Sequence, residues 1–313
     1  ILMAHNSICI KGTASVANVS CGFDCLGYAI TDPGDILTIS TINKRALNIS
    51  ISGFRSESIP TLPEKNTAGK AILSLLDELN SKQGFDIHIE KGIPPGSGIG
   101  SSAASAVAAV FGVNELLGNP LQLDELLVHA MAGEAVASGG FHADNVAPAL
   151  FGGLILIRSY DPLDIVKIPV PKNIWSSVVL PDFSINTWDA RNLLPTHIPL
   201  KIAVEQAGNL AGFTLGMTTK NLDLVGRSMV DLFAEPVREK LIPNFYAIKN
   251  AALESGAIGC GISGSGPSLF ALSDSEDSAR NIGLAMQNAF SDPGLQSQLY
   301  CSPISNQTPI ILD

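Results

Sequence analysis

The chain is short of charge, of aromatic rings and of basic residues. Charged side chains make up 15% and aromatic ones 6% of its 313 residues, and 19 Lys+Arg against 29 Asp+Glu leave a formal net charge of −10. A field of that sign repels a polyanion at long range, so nucleic acid is not an expected partner. A small phosphorylated ligand remains compatible, because local backbone dipoles and a bound cation hold phosphate despite the overall field. No apolar run approaches the roughly 20 residues that span a bilayer, and no membrane partner is expected. The five cysteines, Cys9, Cys21, Cys25, Cys260 and Cys301, contain no CxxC pair, and no basic-then-apolar leader precedes them. Reduced thiols in a cytoplasmic protein are the expectation. Cys21 and Cys25 have no two further zinc ligands nearby and read as buried small residues. The chain opens on Ile1, with Met3 a candidate natural start, a point left open.

What is present is 46% hydrophobic residues, in a length that suits two domains or one large one. The chain is organised around residues 92–117, GIPPGSGIGSSAASAVAAVFGVNELL, a glycine loop opening into an alanine-rich helix that stops at Gly118-Asn119-Pro120. Such a stretch is either a flexible turn capped by serine or an anion cradle. In a cradle, glycine lets backbone N–H groups approach a ligand and the helix start adds unpaired donors and partial positive charge. Three glycines within five residues, and small Ala103, Ala104, Ala106, Ala108 and Ala109 behind them, favour phosphate. Ser101-Ser102 follow the last glycine where a Walker loop has lysine, so this is not a Walker loop.

Alternation predicts strands over 7–12, 36–40, 47–52 and 85–90, the middle two joined by a turn at Asn43-Lys44-Arg45, and His88 facing solvent. Residues 13–30, small and polar up to Gly22, read as an ordered loop in which Asn18 and Asp24 either form turns or reach a ligand. Helical spacing appears over 66–79 and 121–137. On the second of these helices Glu134 sits among Ala132, Gly133, Ala135 and Val136, which makes it either an ordinary exposed glutamate or a recessed one needing a cation. His142, Asp144 and Asn145 cluster in the loop before a strand at 154–158.

Prolines 162, 169, 171 and 181 mark a change of composition from Ser159, and the expected domains are 1–158 and 159–313. Helices are expected over 201–217, 223–233, 244–255 and 277–290, with a strand, glycine turn and strand across 257–272. Arg191, near Thr187, and Arg238 are either surface ion pairs or carboxylate clamps, since guanidinium donates two parallel bonds.

Taken in order, TASVANVSCGFDCLG, PPGSGIGSSAAS and GISGSGPSLF resemble the three motifs of the GHMP kinases, the family of galactokinase, homoserine kinase, mevalonate kinase and phosphomevalonate kinase. The first segment, HADNVAP and EPVREKLIP are similar to its homoserine kinase branch, and the resemblance runs over nearly the whole chain. It implies an α+β, two-domain enzyme, with an amino-terminal domain like domain 2 of ribosomal protein S5 and a ferredoxin-like carboxy-terminal domain. It implies ATP and Mg²⁺ as cofactors, L-homoserine as substrate, and a homodimer.

Carried onto matching positions, the resemblance gives an ATP loop of Pro94, Pro95, Gly96, Ser97, Gly98, Ile99, Gly100, Ser101, Ser102, Ala103 and Ala104, supported by a turn containing Gly264. Asn18, Asp24, His142, Asp144, Asn145, Arg191 and Arg238 become homoserine contacts; Ser102 and Glu134 hold Mg²⁺, and Thr187 lies near the transferred phosphoryl. Departures are Val16, where the branch often has serine, and Ser20-Cys21, where Gly-Pro is common. The competing expectations are another GHMP kinase for a mevalonate- or sugar-type alcohol, a non-catalytic GHMP-fold regulator, and an unrelated glycine-rich α/β binding protein.

Overall fold

The computed structural model describes residues 6–290 and 295–312, and Ile1 and Met3 lie outside the described residues. Its first sheet is centred on a long antiparallel pair, β1 (Ser7–Ala17) and β2 (Leu26–Ile42). The expected loop at 13–17 is instead the buried second half of β1. Small residues there have little strand propensity, but they admit a helix at close range: a Cβ on Gly12 would collide with the Ala104 carbonyl. Packing overrides propensity at this place.

β3 (Leu47–Gly53) follows the turn at 43–46 yet does not pair with β2. After α1 (Thr67–Glu78), whose Asn66 cap accepts the Gly69 N–H at 3.1 Å, β4 (Gly84–Lys91) inserts between them, antiparallel to β2 and parallel to β3. α2 (Ser101–Leu116) and α3 (Leu123–Ser138) pack with α1 to form the helical layer. Sheet residues Ile10, Leu37, Phe85 and Ile87 meet Ile72, Leu75, Val107 and Leu126 in one core. Because α2 touches the sheet, α1 and α3, it is buried nearly all round, which explains an alanine-rich helix with no polar face. A short α4 (Val146–Phe151) precedes β5 (Leu154–Tyr160) and β6 (Leu163–Ile168), which extend the sheet where β5 pairs with Leu26 to Tyr28.

The second sheet begins at β7 (Trp175–Pro181). Five helices follow: α5 (Thr187–Asn192), α6 (Leu200–Thr219), α7 (Leu222–Ser228), α8 (Glu235–Arg238) and α9 (Phe245–Glu254). Then come β8 (Gly259–Ile262), β9 (Leu269–Ser273), α10 (Glu276–Ala289) and β10 (Ser297–Pro303). The strand order β10-β7-β9-β8, antiparallel throughout, is the 4-1-3-2 arrangement of a ferredoxin-like domain. A last strand, β11 (Ile310–Leu312), returns to the first sheet and pairs with β1.

The boundary expected between residues 158 and 159 falls inside the β5–β6 hairpin, both strands of which belong to the first sheet, so we place the division after Ile168. The helix expected over 223–233 ends at Ser228, because Asp231 turns its carboxylate onto the N–H groups of Phe233, Ala234 and Glu235 and starts a new turn there. The two domains share a core in which Tyr28 meets Phe270 edge-on at 6.0 Å and bonds Ser176 at 2.7 Å, beside Phe213 and Met217 of α6. That shared core fixes the walls of the cleft between them.

Candidate active site

The glycine loop hangs from β4 and ends at Gly100, the cap of α2. Gly96, Gly98 and Gly100 have φ of 70°, 83° and 70°, the left-handed region that glycine enters freely. Four successive carbonyls of this loop are tied to the surrounding protein. Gly96 O accepts from Ile185 N–H at 3.1 Å and Ile99 O from Ser15 N–H at 3.2 Å, while the Ser268 and Ser263 hydroxyls donate to Ser97 O at 2.7 Å and Gly98 O at 2.8 Å. Both of those serines belong to the turn between β8 and β9. With its acceptors spent on the protein, the loop offers a cavity of about 410 Å³ mainly N–H donors and the start of a 16-residue helix. A Cβ at Gly98 would lie 2.6 Å from both the Gly266 and Ser263 carbonyls.

Ser102, Glu134, Thr187 and Gly264 line this cavity together with Pro95, Gly96, Ser97, Gly98, Gly100 and Ser101. Ile99, Ala103 and Ala104 do not: they are fully buried in the cores beneath, and Pro94 is also off the wall. Their contribution is packing, since the loop can lie this close to β1 only over small side chains. Glu134 is recessed, and burial pushes its carboxyl up to about 7, against the lowering effect of the Ser102 hydroxyl. Its Oε2 is buried and has no hydrogen-bond partner among the described residues. A buried, orphaned carboxylate oxygen next to a hydroxyl, on the wall of an anion cradle, fits a hard divalent cation such as Mg²⁺.

The first loop carries unusual backbone strain. Asn18, Val19 and Ser20 are consecutive with φ of 67°, 44° and 60°, and Asp24 follows at 57°; a β-branched residue in that region is an outlier, and such strain persists only where the surroundings enforce it. Ser20, at φ 60°, holds a left-handed backbone that glycine would adopt without strain, in keeping with the glycine that the resemblance leads one to expect there. Several bonds hold the loop. The Asn18 amide donates to Gly264 O at 2.9 Å, its carbonyl accepts Asp24 N–H at 3.0 Å, and the Gln206 side chain bridges Cys21 O at 2.7 Å and Leu232 N–H at 2.8 Å.

The charged residues converge beside this loop. Arg191, from α5, grips Asp24 with both terminal nitrogens, one at 3.3 Å. Arg238 donates to the same Gly264 carbonyl at 2.9 Å, and both guanidiniums stand over the Phe23 ring, at 5.8 and 5.5 Å. Burial lowers the Arg238 pKa, with the Asp231 and Asp24 charges opposing. Asp144 is buried, and desolvation followed by the Asp24 charge pushes it up to about 7. His142 is lowered by burial and by Arg191. Asn145 lies apart from this cluster: its Oδ1 accepts the Ser15 hydroxyl at 2.8 Å beside Gly100, on the cavity wall. Gly264 joins the two regions, since it lines the cavity and receives both Asn18 and Arg238.

Sequence reasoning missed Lys91 and Asp35. They form a buried ion pair under the loop, with Lys91 Nζ also donating to Ser101 O at 3.0 Å and Ser105 Oγ at 2.9 Å, while Asp35 accepts the Gly92 and Ile93 N–H groups at 3.1 and 3.0 Å. Lys91 lies on the same face as Phe85, Ile87 and Ile89, so the alternation of β4 already pointed it inward. Lysine does line the cavity, Lys91 from the strand before the loop and Lys65 from the turn ahead of α1. Cys21 and Cys25 flank the strained loop, and burial raises their thiols to about 12 and about 11, which keeps them protonated and inert.

Residues 66–153 match the family description "GHMP kinases N terminal domain" and residues 214–292 match "GHMP kinases C terminal". The chain belongs to the GHMP kinase family. Within this family it is 47% identical over 307 residues to the homoserine kinase of Chlorobium phaeobacteroides strain BS1, covering 94% of this chain and 96% of that one. It is 41% identical over 275 residues to the homoserine kinase of Methanococcus vannielii, covering 88% and 89%. The crystal structure of homoserine kinase from Cytophaga hutchinsonii superposes with a TM-score of 0.97 at 46% identity, over 100% of this chain and 99% of that one. The crystal structure of an L. major mevalonate kinase superposes with a TM-score of 0.70 at 18% identity, over 94% of this chain and 95% of that one, which shows the shared fold alone. The two-domain α+β fold is thus that of GHMP kinases. Among the described residues no helix is long and apolar enough to cross a membrane.

Proposed function

We propose that this GHMP kinase transfers the γ-phosphoryl group of ATP to the hydroxyl of L-homoserine, yielding O-phospho-L-homoserine and ADP. The observation that carries this reading is the meeting, at the Gly264 carbonyl, of an amide-lined phosphate cradle with a cluster of two carboxylates, Asp24 and Asp144, and two arginines. Homoserine has an ammonium for Asp24, a carboxylate for Arg191 and Arg238, and a hydroxyl to present to the cavity. In this reading Asn18, His142 and Asp144 line the amino-acid side, and Thr187, 3.4 Å from the Ser265 hydroxyl, stands between the two halves. Asn145 belongs to the nucleotide side, where it braces Ser15 under the loop.

Phosphoryl transfer runs through a loose transition state, so alignment and charge neutralisation supply most of the catalysis and no strong base is needed. The loop amides and the α2 start would take the phosphate oxygens, with the buried Lys91–Asp35 pair bracing the loop from beneath. Glu134 with Ser102 would hold Mg²⁺, which when bound neutralises charge on the phosphates.

Two finer expectations belong to the same reading. Leu200, Val204 and Leu215 are exposed on α6, and their spacing sets them on one helical face, a surface suited to a homodimer that sedimentation would detect. A reducing cytoplasm suits five free thiols. The deciding experiment is ADP release with Mg-ATP and L-homoserine, run against mevalonate and galactose. Turnover with homoserine supports the reading, turnover with another alcohol only moves it within the GHMP family, and ATP binding with no acceptor turnover would sink it in favour of a non-catalytic role.

A further inference from the structure

We propose that Tyr160 is a positioning residue for the amino-acid subsite, an inference that rests on the homoserine reading above. It stands at the end of β5, just beyond the place where the pairing of β5 with β6 shifts register between Ile157 and Ser159. Its hydroxyl donates to the Asp24 carbonyl at 2.9 Å and accepts the Ala143 N–H at 3.2 Å. One oxygen therefore joins the loop of Asp24 to the loop in which Ala143 separates His142 from Asp144.

The consequence for Asp24 is specific. Its backbone is in the left-handed region, at φ 57°. Its N–H is held by the Asn18 side chain and its C=O by Tyr160, while the next carbonyl, Cys25 O, accepts the Ile157 N–H at 2.8 Å. The peptide planes on either side of Asp24 are thus both fixed, the first by Asn18 within the loop and the second by Tyr160 from outside it. On the other side of the hydroxyl, the Ala143 amide fixes the peptide between His142 and Ala143. A further close approach of these segments is at Gly27, where a Cβ would strike the Asp144 carbonyl. Burial, then the Asp144 charge, raises the phenol well above its ordinary range, so the donated proton stays on the oxygen at neutral pH.

Tyr160 does not line the cavity, its hydroxyl bonds main-chain groups, and 40% of its surface is exposed, so Tyr160→Phe keeps the ring without opening a core. The variant leaves Asp24 O and Ala143 N–H without their shared partner, and KM for homoserine should rise about tenfold. Homoserine kcat at saturation and KM for ATP should stay at the values of the unsubstituted enzyme, and the melting midpoint should fall only by the few degrees, about 2 to 4 °C, that loss of these hydrogen bonds allows. Tyr160→Leu, which also removes the ring, should repeat the homoserine effect and lower the midpoint further. An unchanged homoserine KM in Tyr160→Phe overturns the proposal. So does a parallel rise in KM for both substrates with a midpoint lowered beyond those few degrees, the pattern of a general structural support. If the unsubstituted enzyme turns over homoserine and Tyr160→Phe matches it, this inference alone fails; if the unsubstituted enzyme ignores homoserine, the functional reading fails and takes this one with it.

Discussion

Along residues 96–102 the site is made of main chain, with carbonyls tied down by serines and glycines where no side chain fits, whereas around Asp24, Arg191 and Arg238 it is made of long charged side chains drawn from three distant segments. In the proposed reading the first region would bind by shape and by fixed dipoles, and its carbonyls are held by hydrogen bonds that run between the two domains. The second would bind by charge, and its members are tied within the protein, Arg191 to Asp24 and Arg238 to the Gly264 carbonyl. The difference teaches that a phosphate, the same in every GHMP kinase, can be met by backbone, while the acceptor alcohol that distinguishes one member from another is met by side chains that change without disturbing the fold.

The sharpest way to test that division is Arg238→Ala. Homoserine kcat/KM should fall by roughly 2 to 5 kcal/mol, as for the loss of one partner of a buried charge pair, with KM for ATP unchanged. A matching loss in ATP affinity would show that Gly264, which Arg238 also holds, couples the two regions more tightly than the comparison allows.

Glu134 sits at the seam, and its titration is readable as stability. Its folded carboxyl is pushed up to about 7 from an ordinary 4.5, so between those values the folded state binds more protons than the unfolded one. Stability should therefore fall as pH rises through that window, reaching its full loss above about 7, of roughly 3 kcal/mol at most. Glu134→Gln should flatten this slope in denaturant titrations, leaving the part due to Asp144, and should weaken the Mg²⁺ dependence of kcat. A slope of the same steepness in the variant would remove Glu134 from the seam.

Gly98→Val addresses the backbone side directly. A side chain there meets two carbonyls at 2.6 Å and an unfavourable φ of 83°, and displacement of the loop should cut kcat/KM for ATP about 100-fold. Homoserine binding measured by calorimetry without nucleotide should be unaffected. The smallest effect is expected of Ser268→Ala, which removes one of two bonds to Ser97 O and should raise KM for ATP by a factor corresponding to about 1 kcal/mol. No change would mean that the Ser268 N–H, at 3.3 Å, anchors Ser97 alone.

The same contrast decides what could be read from the chain beforehand. The glycine loop and α2 announced themselves because the loop's chemistry is local: glycines at close spacing, then alanines. α1, α3, β4 and α10 were legible from period alone, each having one buried face. The strand order was not, because the short turn at 43–46 implies neighbours while β4, arriving thirty residues later by sequence number, takes the place between β2 and β3. Residues 13–17 misled because smallness, read as looseness, was the condition for tight packing on α2. The charged cluster has no local signature, since Asp24, Arg191 and Arg238 meet only through the tertiary fold; family resemblance supplied what periodicity lacked. Lys91 and Asp231 were within reach, the one from the alternation of β4 and the other as an acidic residue placed ahead of Ala234-Glu235-Pro236, a helix start rather than a helix interior.

β11 carries a consequence for how the molecule is made. As synthesis proceeds, the amino-terminal half leaves the ribosome with one flank of β1 bare, and that flank is covered only after the ferredoxin-like half has emerged and its last strand has travelled back. An excised amino-terminal half would keep this open edge, a template for pairing with other copies, so splitting the gene product in two would yield a fragment prone to aggregation rather than a working nucleotide-binding piece.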